Sequence, residues 1–230
     1  MATQKVTPDE YSRLKLEDQW IEDCVQDVEA RWLIEQTKDS PCIIDLGWGS
    51  GIVAKALHDA GRDVMCVEGS KAACKEAREA GIPVIHSLFE NFMAADDFDC
   101  VIASFVLEHV ADPVALLKRC REWAPRLIAV VGNANSYHRR LAVAMGLQPR
   151  TDTLSARAHA VGHYCVYDRH TIAEQLAEAG WRWMHHRGIM LKPLPNAMMT
   201  HFDERLIRAM CEIEIAPQDA ANIGIVCERA

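Results

Sequence analysis

Five short apolar runs alternate with helix-like segments between Pro41 and Val131, and this alternation constrains the fold more than any other feature of the sequence. Each run is too short for a helix and is typical of a buried strand, and glycine closes the first two helical segments. The predicted strands are residues 42–46, 63–67, 83–86, 98–104 and 127–131, and the predicted helices are residues 52–60, 71–80 and 113–123. Alternation with short connections predicts an α/β fold whose doubly wound parallel sheet carries helices on both faces.

The segments on either side follow the same logic. Apolar residues recur at helical spacing from about residue 18 to residue 38 and predict a helix. Residues 133–167 are polar, and too many for an ordinary loop, so they predict a helical or loop insertion after the fifth strand. A capping-box pattern at residues 171–174 predicts a helix ending at Gly180. Strand 181–191, helix 202–214 and strand 222–227 follow, and the last strand should pair antiparallel because no full crossover helix precedes it.

Charge and cysteine content narrow the class of protein. The net charge of −8 gives no electrostatic reason to expect a nucleic-acid partner. The nine cysteines include no CxxC pair and are odd in number, so we expect no metal site and no disulfide framework, but reduced thiols in a cytoplasmic protein. The first residues contain no apolar run of the signal-peptide kind, and no stretch approaches the roughly twenty apolar residues of a membrane helix, so no membrane partner is expected.

A glycine-rich turn follows the first predicted strand and opens the next helix. It reads Asp45-Leu46-Gly47-Trp48-Gly49-Ser50-Gly51, and Glu68 ends the second strand seventeen residues later. Glycine allows a tight turn and the close approach of a ligand. Because both sites lie at the carboxyl edge of a parallel sheet, they should form one crevice, in which Glu68 can accept both ribose hydroxyls of a nucleoside.

The spacing of the glycines separates two kinds of nucleotide. A dinucleotide pyrophosphate is typically bound by GxGxxG, whereas this loop is GxGxG and continues with Ile52. S-adenosylmethionine has no phosphate and carries a sulfonium and an amino group. Asp45 and Glu68, on either side of the glycine turn, suit that molecule better than a pyrophosphate.

The residues at these strand ends resemble those of class I S-adenosylmethionine-dependent methyltransferases. The run Ile43–Gly51, then Glu68, then Phe98–Val110 carry the resemblance, which is strong from about Pro41 to Gly132. The sequence is most similar to the small-molecule branch related to the ubiquinone-biosynthesis methyltransferases. The resemblance implies a seven-stranded Rossmann-like sheet with its last strand antiparallel, and S-adenosylmethionine as cofactor.

The resemblance also implies a set of cofactor-binding residues. The glycine loop, with Asp45 before it, holds the cofactor, and an acid at the end of the second strand binds ribose. The segment after the third strand contacts adenine, and the end of the fourth strand faces the methionine part. In chain order, the residues implied are Asp45, Gly47, Trp48, Gly49, Gly51, Glu68, Gly69, Ser87, Leu88, Phe89, Ser104 and Phe105. Two positions depart from the family pattern. Ser87 stands where an aspartate is common, and the bulky Trp48 stands where a small residue is usual.

The acceptor site is expected in the insertion and beside the fourth strand. His109, His138 and His163 are candidate general bases for a hydroxyl acceptor, and an acceptor that is already an anion needs none. Candidate acceptor-binding residues in the insertion are Tyr137, His138, Arg139, Tyr164 and Tyr167. Arg139 and Arg140 would suit an acidic or phosphorylated acceptor.

One domain is therefore predicted for the 230 residues. It comprises an N-terminal helical segment (1–40), a cofactor-binding half (41–132), a substrate-cap insertion (133–167) and a C-terminal half (168–230), and it could form a homodimer. The predicted function is methyl transfer to a small molecule, with oxygen the favoured atom, in a sugar, a lipid-linked intermediate or a secondary metabolite. An NAD-dependent oxidoreductase and a non-catalytic nucleotide-binding module remain alternatives. A nucleic-acid methyltransferase is disfavoured because Ser104–Leu107 lacks the Asn/Asp-Pro-Pro-aromatic tetrapeptide.

Overall fold

A computed structural model describes residues 6–11, 17–94 and 97–230 of the chain. The strands are β1 (Cys42–Leu46), β2 (Asp63–Glu68), β3 (Val84–His86), β4 (Cys100–Ser104), β5 (Arg126–Gly132), β6 (Trp181–Ile189) and β7 (Asn222–Arg229). The helices are α1 (Pro8–Tyr11), α2 (Gln19–Gln36), α3 (Ile52–Asp59), α4 (Lys71–Glu79), α5 (Pro113–Trp123), α6 (Tyr137–Ala144), α7 (Ala156–Ala160), α8 (Arg169–Glu178), α9 (Asn196–Met199) and α10 (Glu204–Glu212). Every strand expected from the sequence is present.

The seven strands form one sheet in the order β3-β2-β1-β4-β5-β7-β6. Parallel pairing joins β1 to β2 and β4, β2 to β3, and β4 to β5. Strand β7 lies antiparallel between β5 and β6, which confirms the prediction for the last strand. Six strands therefore end at one edge of the sheet, where parallel α/β folds place their ligands.

Two apolar layers cover the sheet. The first contains buried residues of α2, α3 and α10, such as Leu33, Leu57 and Ile207. The second contains buried residues of α5 and α8, such as Leu117 and Leu176. Helix α2 reaches its layer from outside the alternating part of the sequence, and this places its side chains next to the strand ends.

Local capping explains where two helices begin. Helix α5 starts at Pro113 because the Asp112 carboxylate accepts a hydrogen bond from the Ala115 N–H, at 3.0 Å. Helix α8 starts at Arg169, ahead of the expected capping box. Its cap is Asp168, which accepts from the N–H groups of His170 and Thr171, so the prediction that Thr171 opens this helix is wrong.

The insertion after β5 contains α6 and α7, joined by turns. A bridge between Asn133 and Tyr167 ties its two ends together. All nine cysteines are free thiols. Within the described ranges, no helix has the length and apolar character needed to cross a membrane, and no group of three or more His, Cys, Asp or Glu side chains is arranged to hold a metal ion.

Candidate active site

A cleft of about 240 Å³ opens at the carboxyl ends of β1, β2 and β4. Thirteen of the residues for which the sequence suggested a cofactor, catalytic or acceptor role line it: Asp45, Gly47, Trp48, Gly49, Glu68, Gly69, Ser87, Leu88, Phe89, Ser104, Phe105, His109 and Tyr164. Its walls also include residues for which the sequence gave no signal: Val6, Thr7, Pro8, Gln26, Val161 and Gly162. The predicted strand-end residues therefore meet in one place.

The glycine loop forms one wall of the cleft. The N–H of Gly47 donates to the carbonyl of Val67, at 2.8 Å, so the loop is fastened to the end of β2. Gly51 precedes α3 and does not line the cleft. It has a left-handed φ of +75°, and a Cβ placed on it would lie 2.3 Å from Cζ2 of Trp48. Glycine at this position therefore makes room for the indole ring.

Trp48 is 5% exposed and packs over Gly51 within the first apolar layer. The ammonium of Lys55 lies 5.7 Å from the centre of the ring. The bulky residue inside the glycine turn therefore folds onto the start of α3, and it lines the cleft without closing it.

Glu68 connects the loop to the next helix. One carboxylate oxygen accepts from the N–H of Trp48 at 2.9 Å, and the other accepts from the N–H of Ser70 at 2.6 Å. An ionised carboxylate has about four lone-pair sites, so both oxygens can accept further hydrogen bonds from a ligand. The side chain is thus held in place while it faces the cleft.

The end of the cleft beyond β2 is apolar and is covered by the N-terminal segment. Leu88 is 44% exposed, and Phe89 begins a single 3-10 turn that ends at Asn91. The Asp9 carboxylate accepts from the Ser70 hydroxyl and the Lys71 N–H, at 2.8 and 2.9 Å. These contacts hold the segment containing α1 against the β2 end of the site.

Buried carboxyl groups stand behind the floor of the cleft. Burial raises the pKa of Asp45, and the charges of Glu29 and Glu68 raise it further. Burial also raises the pKa of Glu29 to about 7, an effect that the nearby Ser104 side chain opposes. Glu108 accepts from the N–H of Gly132 at 2.8 Å, and burial raises its pKa to about 7. The raised pKa values favour the protonated forms of these acids in the empty cleft, and a bound cation would favour their ionised forms.

The raised pKa of Glu29 makes stability depend on pH. The carboxyl of Glu29 binds a proton more tightly in the folded chain than in the unfolded chain, where its pKa has the ordinary value of 4.5. The folded state is therefore favoured most at low pH. We expect the free energy of unfolding to fall by up to about 3 kcal/mol as pH rises from about 4.5 to above 7. Glu29→Gln should reduce this dependence in urea unfolding, because the amide does not titrate, while Asp45 and Glu108 still contribute to it.

Glu35→Gln is the matched control, because Glu35 lies on the same helix and is exposed. It should keep the pH dependence of the wild-type protein. Equal slopes for the two variants would show that Glu29 does not titrate in this range.

Two of the candidate histidines form a pair at the insertion side of the cleft. The rings of His109 and His163 are T-shaped, with centroids 4.5 Å apart. Burial lowers the pKa of both rings, that of His163 to about 3. His109 lines the cleft, whereas His163 stands behind it. His109 is therefore a mostly neutral imidazole in the wall of the cleft.

The remaining candidates in the insertion lie outside the cleft. The Nδ1 atom of His138 is 3.1 Å from the Ser136 hydroxyl, and burial lowers the pKa of His138 to about 3. Arg139 donates to the carbonyls of Thr151 and Thr153, both at 2.5 Å. Tyr137 is 48% exposed at the start of α6.

Tyr167 is buried in the second apolar layer, and its hydroxyl donates to Gln175 at 3.1 Å. The structure thus places it in the core rather than against a ligand. Tyr164, in contrast, lines the cleft, and its N–H donates to the carbonyl of Glu108 at 2.8 Å. This bond fastens the insertion to the end of β4.

Comparison with known proteins gives this arrangement a family. A family model described as a methyltransferase domain matches residues 19–186. The ubiquinone biosynthesis O-methyltransferase of Dinoroseobacter shibae is 27% identical over 161 residues, covering 66% of this chain and 64% of that protein. That of Actinobacillus pleuropneumoniae serotype 7 is 32% identical over 91 residues, covering 34% of this chain and 39% of that protein. The match therefore spans about two fifths of the length of the second relative.

Solved structures agree on the fold. A methyltransferase of Thermotoga maritima, described as S-adenosylmethionine-dependent and as a possible histamine N-methyltransferase, superposes with a TM-score of 0.65 at 17% identity, covering 96% of this chain and 95% of that one. Magnesium protoporphyrin IX methyltransferase of Synechocystis, with bound S-adenosylhomocysteine, gives a TM-score of 0.64 at 15% identity, covering 95% and 89%. The chain therefore belongs to the methyltransferase domain family, and its fold is that of the class I S-adenosylmethionine-dependent methyltransferases.

Proposed function

We propose that the protein transfers a methyl group from S-adenosylmethionine to an oxygen atom of a small molecule. The observation that carries the proposal is the cleft in which Glu68, the glycine loop and the buried acids meet. The curated relatives are named as O-methyltransferases, which supports oxygen as the accepting atom. A sugar, a lipid-linked intermediate or a secondary metabolite remains the proposed range of acceptors.

The residues in the cleft fit the cofactor group by group. Glu68 accepts hydrogen bonds from ribose hydroxyls, and Leu88 and Phe89 offer apolar surface to adenine. Asp45 and the acids behind it favour the positive charge of the donor. Ser104 and Phe105 line the side on which β4 ends. S-adenosylmethionine, when bound, supplies an electrophilic methyl group.

The protein's contribution to the reaction is mainly alignment and the removal of a proton. Holding two reactants in line can account for about 7–11 kcal/mol of a barrier. The neutral ring of His109 would accept the proton of an acceptor hydroxyl. The segment Val161–Tyr164, together with Val6–Pro8, covers the cleft and limits access of water.

The experiment that tests this function measures S-adenosylhomocysteine by mass spectrometry after incubation with S-adenosylmethionine and a panel of phenols, sugars and amines. The product should form with hydroxyl acceptors. Tight binding of NADH, measured by fluorescence, together with no binding of S-adenosylhomocysteine, would favour the oxidoreductase alternative. Binding of S-adenosylhomocysteine without turnover on any acceptor would indicate a non-catalytic module.

His109→Gln tests the assignment of the base. With a hydroxyl acceptor, we expect kcat to fall by about 100-fold, because general base catalysis contributes at least that factor. The affinity for S-adenosylhomocysteine, measured by calorimetry, should stay within about twofold. His170→Gln is the control, because His170 is exposed on α8. An unchanged kcat in His109→Gln would remove His109 from the mechanism.

A further inference from the structure

A second group of charged residues lies on the other half of the same sheet edge. Strand β5 ends at Gly132 and leads into α6, which carries His138 and Arg139. Strand β6 ends at Ile189 and leads to Lys192. Because β5 and β6 point in the same direction, these side chains come from the edge at which the cleft opens. We name His138, Arg139, Arg157 and Lys192 the basic cluster.

The members of the basic cluster act on one another electrostatically. Burial lowers the pKa of His138, and the charges of Lys192 and Arg139 lower it further. Burial lowers the pKa of Lys192, and the charges of Arg157 and Arg139 lower it further, while Glu22 opposes the shift. Hydrogen bonds join the elements that carry these groups: Arg139 donates to the carbonyl of Thr153, just before α7, while Arg157 of α7 and Asn196, four residues after Lys192, both donate to Glu22.

The acids near the basic cluster already have partners. Arg157 donates to Asp18 and, at 3.4 Å, to Glu22. Glu22 also accepts from the side-chain amide of Asn196, at 2.6 Å. In the described part of the chain, the ammonium of Lys192 makes no hydrogen bond and no ion pair within 4.0 Å. Lys192 thus lacks a carboxylate of its own.

Helix α2 connects the basic cluster to the cleft. Glu22, Gln26 and Glu29 follow one another by one turn each and lie on one face of this helix. Glu22 contacts Arg157, Gln26 lines the cleft, and Glu29 lies beside Ser104. One turn rises about 5.4 Å, so the basic cluster begins within the length of a small molecule from the end of β4.

We infer that Lys192 and Arg139 bind an anionic group, a carboxylate or a phosphate, on the methyl acceptor. This inference rests on the proposed function and specifies the class of acceptor. The anion supplies the charge that Lys192 lacks, and Arg139 is already oriented by the carbonyls of Thr151 and Thr153. The acceptor hydroxyl then points along α2 toward Ser104 and His109.

Calorimetry on the protein saturated with S-adenosylhomocysteine tests the inference, with inorganic phosphate and benzoate as separate probes at constant ionic strength. We expect at least one probe to bind saturably. Lys192→Met should weaken that binding by about tenfold or more, because a hydrogen bond to a charged group is lost. Lys118→Met is the control, since Lys118 is exposed on α5, and it should bind as the wild-type protein does. The stronger probe identifies the kind of anion.

A kinetic comparison adds a second readout. For a pair of acceptors that differ only in a carboxylate or phosphate, Lys192→Met should raise KM for the acid by about tenfold, and kcat should change little, because uniform binding is lost. Absence of binding in the wild-type protein, or equal binding in both lysine variants, would overturn the inference and leave the methyltransferase assignment intact. Failure of S-adenosylhomocysteine to bind would instead contradict the proposed function, and phosphate binding can still be measured without it.

Discussion

Replacing Glu68 with alanine should weaken the binding of S-adenosylhomocysteine by about 100-fold to 10,000-fold in calorimetry. Each hydrogen bond to a charged group contributes about 1.5–3 kcal/mol, and the two ribose hydroxyls would lose their acceptor together. The carboxylate also holds the N–H groups of Trp48 and Ser70, so its removal loosens the glycine loop as well. The loss of affinity therefore has two causes: the missing hydrogen bonds to ribose and the looser glycine loop.

Glu68→Gln separates these two parts. Glutamine keeps the shape of the side chain and one oxygen that can accept from the Trp48 N–H, but it has no charge and only one carbonyl acceptor. We expect an intermediate loss of affinity. Circular dichroism and thermal unfolding should show that both variants fold. Wild-type affinity in Glu68→Ala would mean that the cofactor lies elsewhere.

Gly51→Ala should lower the free energy of unfolding by about 2–6 kcal/mol, because left-handed strain and overpacking contribute about 1–3 kcal/mol each. The new methyl group would lie 2.3 Å from a ring atom of Trp48, which is buried. The indole must move, and the loop that carries it lines the cleft. Cofactor affinity should therefore fall together with stability, and the emission of Trp48 should change.

Gly61→Ala is the matched control for this substitution. Gly61 also has a left-handed φ, +82°, but an added Cβ would meet nothing within 4 Å. It should cost about 1 kcal/mol through backbone strain alone. The difference between the two variants, measured by urea unfolding, isolates the contact with Trp48. Equal effects would show that the indole adapts to the methyl group without cost.

Elements whose signals are local in the sequence were predictable. Helix α5 runs from Pro113 to Trp123 as expected, because Asp112 and Pro113 fix its first turn. The start of α8 was predicted at Thr171 and is found at Arg169, because Asp168 also has a side chain that can cap a helix. Only the folded backbone shows that the carboxylate of Asp168 takes the N–H groups.

Some residues of the candidate site could likewise be predicted from the sequence, and others could not. The sheet pattern alone placed Glu68 in the site, and the family resemblance added Ser104. The contributions of Gln26 and Glu29 could not, because the packing of α2 across the strand ends is set by tertiary contacts. Tyr167 looked like an insertion residue, but the bridge with Asn133 carries it into the core. Polarity of a segment thus indicates where it lies, but not where each of its side chains points.

The acids behind the floor of the cleft bear on turnover. Asp45, Glu29 and Glu108 attract a positively charged ligand more strongly as they ionise. They attract an uncharged ligand of the same shape much less. The product of methyl transfer, S-adenosylhomocysteine, has a neutral sulfur atom in place of the sulfonium. The product therefore lacks this attraction, although the carboxyl groups have not moved. In the proposed cofactor site, these side chains would therefore favour the exchange of the product for a fresh donor, and this preference would grow as the pH rises and the acids ionise.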